Sequence, residues 1–148
     1  MFLLPVVAFI AGLCGTAATH LFLFALARAQ LVESRLAVKL GALVLRREEG
    51  VSHMGILLHY IFGALFGLIY VNLVVLAEPE SVAGVFLLCL VLGLAHGTLA
   101  ALALLRFARL HPLPAFREAS VSVAVAYGAA HLIYGMVVAL VLLAFAAV

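Results

Sequence analysis

The chain contains no aspartate, and charge of either sign is scarce: eight Lys plus Arg and six glutamates make up 9% of its 148 residues. A soluble domain is about a quarter charged and about half apolar. Here 69% of the residues are hydrophobic. A soluble sphere of this size cannot hide that much apolar surface, so the natural solvent is lipid. The same scarcity of charge excludes a nucleic-acid-binding module and a disordered chain. Only two cysteines are present, with no CxxC or CxxCH. This excludes a disulfide-stapled secreted domain and covalently attached haem. No nucleophile–base pair, phosphate loop or carboxylate dyad is found, and the chain is not expected to be an enzyme.

What is there is long apolar runs. A transmembrane helix needs about 20 apolar residues. Four stretches qualify, over residues 2–27, 54–77, 82–105 and 121–148, and none contains Asp, Glu, Lys or Arg. They predict an all-α polytopic membrane protein, a bundle of four transmembrane helices forming a single domain. Residues 28–53 and 106–120 are longer connections, and Glu78-Pro79-Glu80-Ser81 is a tight turn. All eight bases lie in the two longer connections. By the positive-inside rule these face the cytoplasm of a bacterial inner membrane, and both termini face out. The N-terminus lacks the basic n-region of a secretory signal, and Leu13 precedes Cys14 where a lipoprotein site wants a small residue. The first helix is therefore expected to be retained.

In the first connection Val32, Leu36, Leu40 and Leu43 recur at helical spacing, with Glu33, Arg35 and Lys39 off that line. This suggests a short cytoplasmic amphipathic helix on the membrane surface, ended by Gly50. It would dock lipid or a partner, or else simply extend the first helix into a linker.

Small residues mark the helix contacts. Lipid gives helices no hydrophobic reason to associate, so glycine and alanine allow close backbone approach instead. Gly55, Gly63 and Gly67 share a face with His59; Gly93 and Gly97 form a GxxxG beside His96; Gly128 and Gly135 flank His131. Gly12 and Gly15 do similar work in the first helix. His59-Tyr60-Ile61-Phe62-Gly63 and His131-Leu132-Ile133-Tyr134-Gly135 both read His-x-Ile-aromatic-Gly, 72 residues apart. Gly12-Leu13 and Ala27-Arg28 match Gly93-Leu94 and Ala108-Arg109 at an offset of 81. Either this is a parallel two-plus-two internal repeat, or the helices use small residues independently. With Gly67-Leu68-Ile69-Tyr70 after the first, these paired motifs resemble those of small uncharacterised bacterial four-helix inner-membrane proteins, one branch of which is linked to acid resistance. The resemblance covers the second and fourth helices and implies that His59, Gly63, His131 and Gly135 matter together. It implies no reaction and no ligand.

Each span holds one histidine: His20, His59, His96 and His131. Ionisable residues inside a membrane are functional candidates by default. Counted from the cytoplasmic ends they lie about 12, 13, 15 and 19 Å deep, in one slab. Neutral imidazoles could ligate haem b from two sides, hold a transition metal, hydrogen-bond a quinone or relay protons. They could also simply donate across helix interfaces, to Thr16, Thr19, Thr98, Tyr127 or Tyr134 for example. His53 and His111 are expected to face solvent or headgroups. Cys14 and Cys89 are expected to pack as small apolar residues, and the tyrosines to serve as interface anchors or site residues.

With so little mass outside the bilayer, the chain reads as an accessory or assembly subunit of a larger membrane complex. Within it some of the four histidines hold haem b or a metal. Its partners are the bilayer and other membrane subunits or further copies of itself, with no nucleic acid. The alternative is a histidine-dependent transporter or channel, and a third reading is a stand-alone cytochrome.

Overall fold

The computed structural model describes residues 3–32, 35–117 and 120–146. Phe2, Glu33 and Val148, used above to place ends and faces, lie outside the described residues. Among the described residues five α-helices follow in order: α1 (Leu3–Arg28), α2 (Leu36–Leu45), α3 (Ser52–Ala77), α4 (Val82–Arg109) and α5 (Val121–Ala146), with a 3-10 turn at Pro114–Phe116. Among the described residues there is no strand. Four of the helices are long and apolar enough to cross a membrane.

Helix α4 runs four residues beyond its predicted end. Arg106 and Arg109 occupy its last turn, where positive side chains complement the carbonyl end of the helix dipole. At its start Ser81 accepts a hydrogen bond from the Gly84 N–H at 3.1 Å, a standard N-cap. Helix α3 ends at Glu78 in a left-handed conformation, which makes room for the four-residue turn.

The packing order is α3–α1–α5–α4, and α3 and α4 touch each other only lightly although the tight turn joins them. The ring of four helices thus has one open seam. We call the end that carries the arginines the basic end. There, α2 lies against the start of α3. A methyl group added to Gly41 would overlap the Val51 carbonyl oxygen, and one on Gly55 would overlap that of Ala37. The small face of α2 is therefore the packing face. The first connection does contain a short helix, but it stops at Leu45, with Arg46 left-handed, and not at Gly50.

Two interfaces carry the tightest contacts between spans. In α1/α3, a methyl on Gly12 would lie 2.5 Å from the Gly63 carbonyl oxygen, and one on Gly67 would overlap the Ala8 carbonyl oxygen. In α4/α5, a methyl on Gly93 would lie 2.7 Å from the His131 carbonyl oxygen, and one on Gly135 would overlap that of Cys89. Glycine also makes room for side chains. Gly63 faces Thr16, and Gly97 faces the Cβ of His131. Between the α1/α3 pair and the α4/α5 pair, the two hairpins of the bundle, the Tyr134 hydroxyl of α5 donates to the Gly63 carbonyl of α3 at 2.6 Å. The ring of Tyr134 covers Gly15 of α1, where a methyl would come within 2.7 Å.

Candidate ligand site

The histidines of the four long apolar helices fall into two pairs, one in each hairpin. His20 of α1 and His59 of α3 share a hydrogen bond, with His20 Nε2 and His59 Nδ1 2.6 Å apart. His96 of α4 and His131 of α5 meet edge to face, their ring centroids 4.3 Å apart. Each pair joins two of the four long apolar helices that are consecutive in the chain.

His131 is buried, with 7% of its surface exposed. Its Nδ1 lies 2.6 Å from the carbonyl oxygen of Tyr127, one turn earlier. A carbonyl only accepts, so Nδ1 carries the hydrogen and donates. His96 reaches across the seam to α3. It stacks on Phe66 with centroids 3.7 Å apart, and its Nδ1 lies 3.4 Å from the Tyr70 hydroxyl. His96 is thus the piece that bridges α3 and α4 where their backbones diverge.

Toward the basic end of that bridge the seam widens into a crevice of about 480 Å³. Ligand pockets typically run from about 300 to 1,000 Å³. His59, His96, His131 and Tyr127 supply its polar side chains in the spans, and Phe62, Phe66 and Phe107 supply aromatic walls. Lys39, Leu40 and Leu43 of α2, with His111 and Phe116, close the basic end. Phe62, Leu99 and Phe107 line the crevice yet remain more than half exposed. The cavity therefore opens sideways through the seam. His20 does not share it. That ring lines a second cavity of about 290 Å³ between α1, α2 and α3, with Arg35, Phe24 and Ile56. The His20–His59 hydrogen bond connects the two cavities, and Tyr127 lines both.

Three of the four predicted site histidines are thus gathered around one cavity and the fourth touches it through His59. Among the described residues no three His, Cys, Asp or Glu side chains are placed to hold a metal ion. The His20–His59 pair is also too close to sandwich a haem iron. Metal–imidazole bonds of about 2 Å on each side would need nitrogens about 4 Å apart. The predicted packing glycines Gly63, Gly67, Gly93, Gly97 and Gly135 are all buried between spans.

His111 departs from expectation. It is 4% exposed, buried rather than facing solvent or headgroups. Its Nδ1 accepts from the Leu113 N–H at 3.1 Å, so Nε2 carries the hydrogen and donates to the Lys39 carbonyl at 3.2 Å. It fastens α2 to the third connection, helped by Arg117, whose Nε donates to the His111 carbonyl at 3.0 Å. His53 is exposed, as expected. Tyr70, Tyr127 and Tyr134 are buried in the bundle rather than placed at its rim as anchors, whereas Tyr60 is half-buried. Cys89 packs in the core beside Val85 and Val138, and Cys14 is exposed on the outer face. Sequence reasoning did not single out Phe66, and Gly41 opposite Gly55 was the missed sign that α2 packs tightly on α3.

Compared with family models, curated proteins and solved structures, the chain matches none.

Proposed function

We propose that the protein is a non-catalytic subunit of a bacterial inner-membrane complex that holds a membrane-dissolved ligand in the α3–α4 crevice. The observation that carries this reading is the sideways-open crevice on which His59, His96 and His131 converge. Most of a transmembrane surface is uniformly apolar, and imidazoles are costly there unless they meet a partner. Three of them around one cavity with aromatic walls give a lipophilic molecule both a seat and a point of orientation. The basic end faces the cytoplasm, because every Lys and Arg is found in the connections on that side. The short helix α2 is then cytoplasmic and forms the floor of the site.

A two-plus-two repeat underlies the architecture. Residues 8, 12 and 16 of α1 meet α3 as residues 89, 93 and 97 of α4 meet α5, the same offset of 81 that the sequence carries. The facing residues 63 and 67 correspond to 131 and 135, an offset of 68 and not 72. One hairpin has slipped by a helical turn of about four residues relative to its histidine motif. The slip sets His131 beside Gly97, where the equivalent place in the first hairpin is Gly63 beside Thr16.

The test is purification in mild detergent. Partner subunits should co-purify, and a protein that always runs alone counts against the subunit role. The visible spectrum of the same preparation decides whether the occupant is haem: a Soret band lost in His131→Ala assigns it to the crevice.

One observation favours the transporter alternative. The His20–His59 hydrogen bond spans two cavities, a geometry suited to proton relay. Proton flux in liposomes that disappears in His20→Phe would establish it. Flux equal to that of empty liposomes would remove it.

A further inference from the structure

The chemistry of the crevice occupant can be narrowed by the state of one ring. Because His131 Nδ1 donates to the Tyr127 carbonyl, Nε2 of the neutral imidazole presents a bare lone pair. The spans hold no carboxylate that would pair an imidazolium. Among the described residues His131 Nε2 has no hydrogen-bond partner, and no buried polar side-chain atom is sealed without one. Nε2 is therefore open to space, and the space that His131 lines is the crevice.

An open acceptor in apolar surroundings selects for a donor. The occupant must bring an O–H or N–H group on an otherwise apolar frame. The walls favour a flat aromatic frame: His96 is stacked on Phe66 at 3.7 Å, and Phe62 and Phe107 stand at the rim. The opening between α3 and α4 lets such a molecule enter from the bilayer and leaves an attached hydrocarbon tail outside. We infer that the crevice binds a membrane quinol, with one ring hydroxyl donating to His131 Nε2. This rests on the reading of the crevice as a ligand site and adds the ligand class. The oxidised quinone offers only carbonyl oxygens, which would set acceptor against acceptor, so the site prefers the reduced form. Only binding is inferred; no electron transfer is assigned.

The test uses the full-length protein in lipid nanodiscs under anaerobic conditions. Three probes are compared by calorimetry: a short-chain benzoquinol, its quinone and the dimethyl ether of the quinol. The quinol is expected to bind about tenfold more tightly than the other two, the size of effect that an unsatisfied buried polar group produces. His131→Gln brings a side-chain amide that donates as well as accepts, and it should bring the three affinities together. Ala103→Phe fills the crevice and should abolish binding of all three. Wild-type protein that binds quinone as tightly as quinol overturns the quinol assignment, and so does one that binds a long-chain aliphatic alcohol equally well. Crevice-dependent binding in those cases leaves the ligand-site reading standing. No binding of any probe, with the same bilayer lipids bound to wild type and Ala103→Phe, overturns both. The wild-type comparison stands even if His131→Gln fails to fold.

Discussion

At Gly97 an added methyl would lie 2.5 Å from the Gly128 carbonyl oxygen and 3.1 Å from the Cβ of His131. At Gly128, on the other side of the same interface, the nearest atom would be 3.8 Å away. The two glycines therefore differ in what they tolerate. Gly97→Ala should destabilise the bundle by about 1–3 kcal/mol through overpacking. Gly128→Ala, at ordinary contact distance, should be close to neutral. Thermal unfolding in detergent, followed by circular dichroism, checks both. Tyr134→Phe removes the hydroxyl that links α5 to α3 and should cost about 1 kcal/mol in the same assay. The sequence identified these glycines as packing residues because lipid leaves few other reasons for them. It could not rank them, because spacing along one helix does not say which atom of the next helix stands opposite. The histidines were legible for a similar reason: in a chain whose spans lack every charged residue, an imidazole stands out. Their pairing and the tautomer of His131 were not legible, since both depend on contacts with neighbouring helices or on backbone direction.

At the scale of elements, α2 is held by more than its own propensity. A helix of ten residues is marginal in isolation. It persists here through the contacts of Gly41 with Val51 and of Gly55 with Ala37, which join it to the start of α3, and through the two side-chain hydrogen bonds of His111. His111→Ala leaves the Lys39 carbonyl and the Leu113 N–H without that partner, at a cost of about 1–3 kcal/mol. Hydrogen exchange should then rise across residues 36–45, while the spans keep their protection. His53→Ala, at an exposed position, should leave the exchange pattern unchanged. Four spans could be drawn from apolar length alone, with ends shifted by a few residues. The reason is plain at Arg109: charge ends a hydrophobic run but does not end a helix. The first connection was harder. Apolar periodicity pointed to Leu40 and Leu43 as a membrane-facing stripe, whereas α2 packs through its small residues and turns those two leucines toward the crevice. His111 was misjudged because its basic neighbours Arg109 and Arg117 suggested a solvated segment; its burial comes from α2 folding back over it.

At the scale of the molecule, the seam is the feature that sequence could not reveal. A tight turn between α3 and α4 argues for close neighbours, yet each packs better elsewhere, α3 on α1 and α4 on α5. The glycine-matched interfaces explain why. Close backbone approach is available within each hairpin, Gly15 of α1 takes the Tyr134 ring of α5, and no glycine contact joins α3 to α4. What bridges them is His96 on Phe66 and Tyr70, and below that bridge the crevice opens. His96→Ala should therefore loosen the seam without breaking either hairpin. A cysteine pair across α3 and α4 would report it as a wider spin-label distance distribution, with α1/α3 distances unchanged. The central claim is that this crevice holds a ligand. It is tested most directly by native mass spectrometry of the protein released from its own membranes, wild type beside Ala103→Phe. A defined small lipophilic molecule should be bound to the wild type and missing from the folded variant. Identical spectra for the two proteins, with the same bound lipids or none, would contradict it.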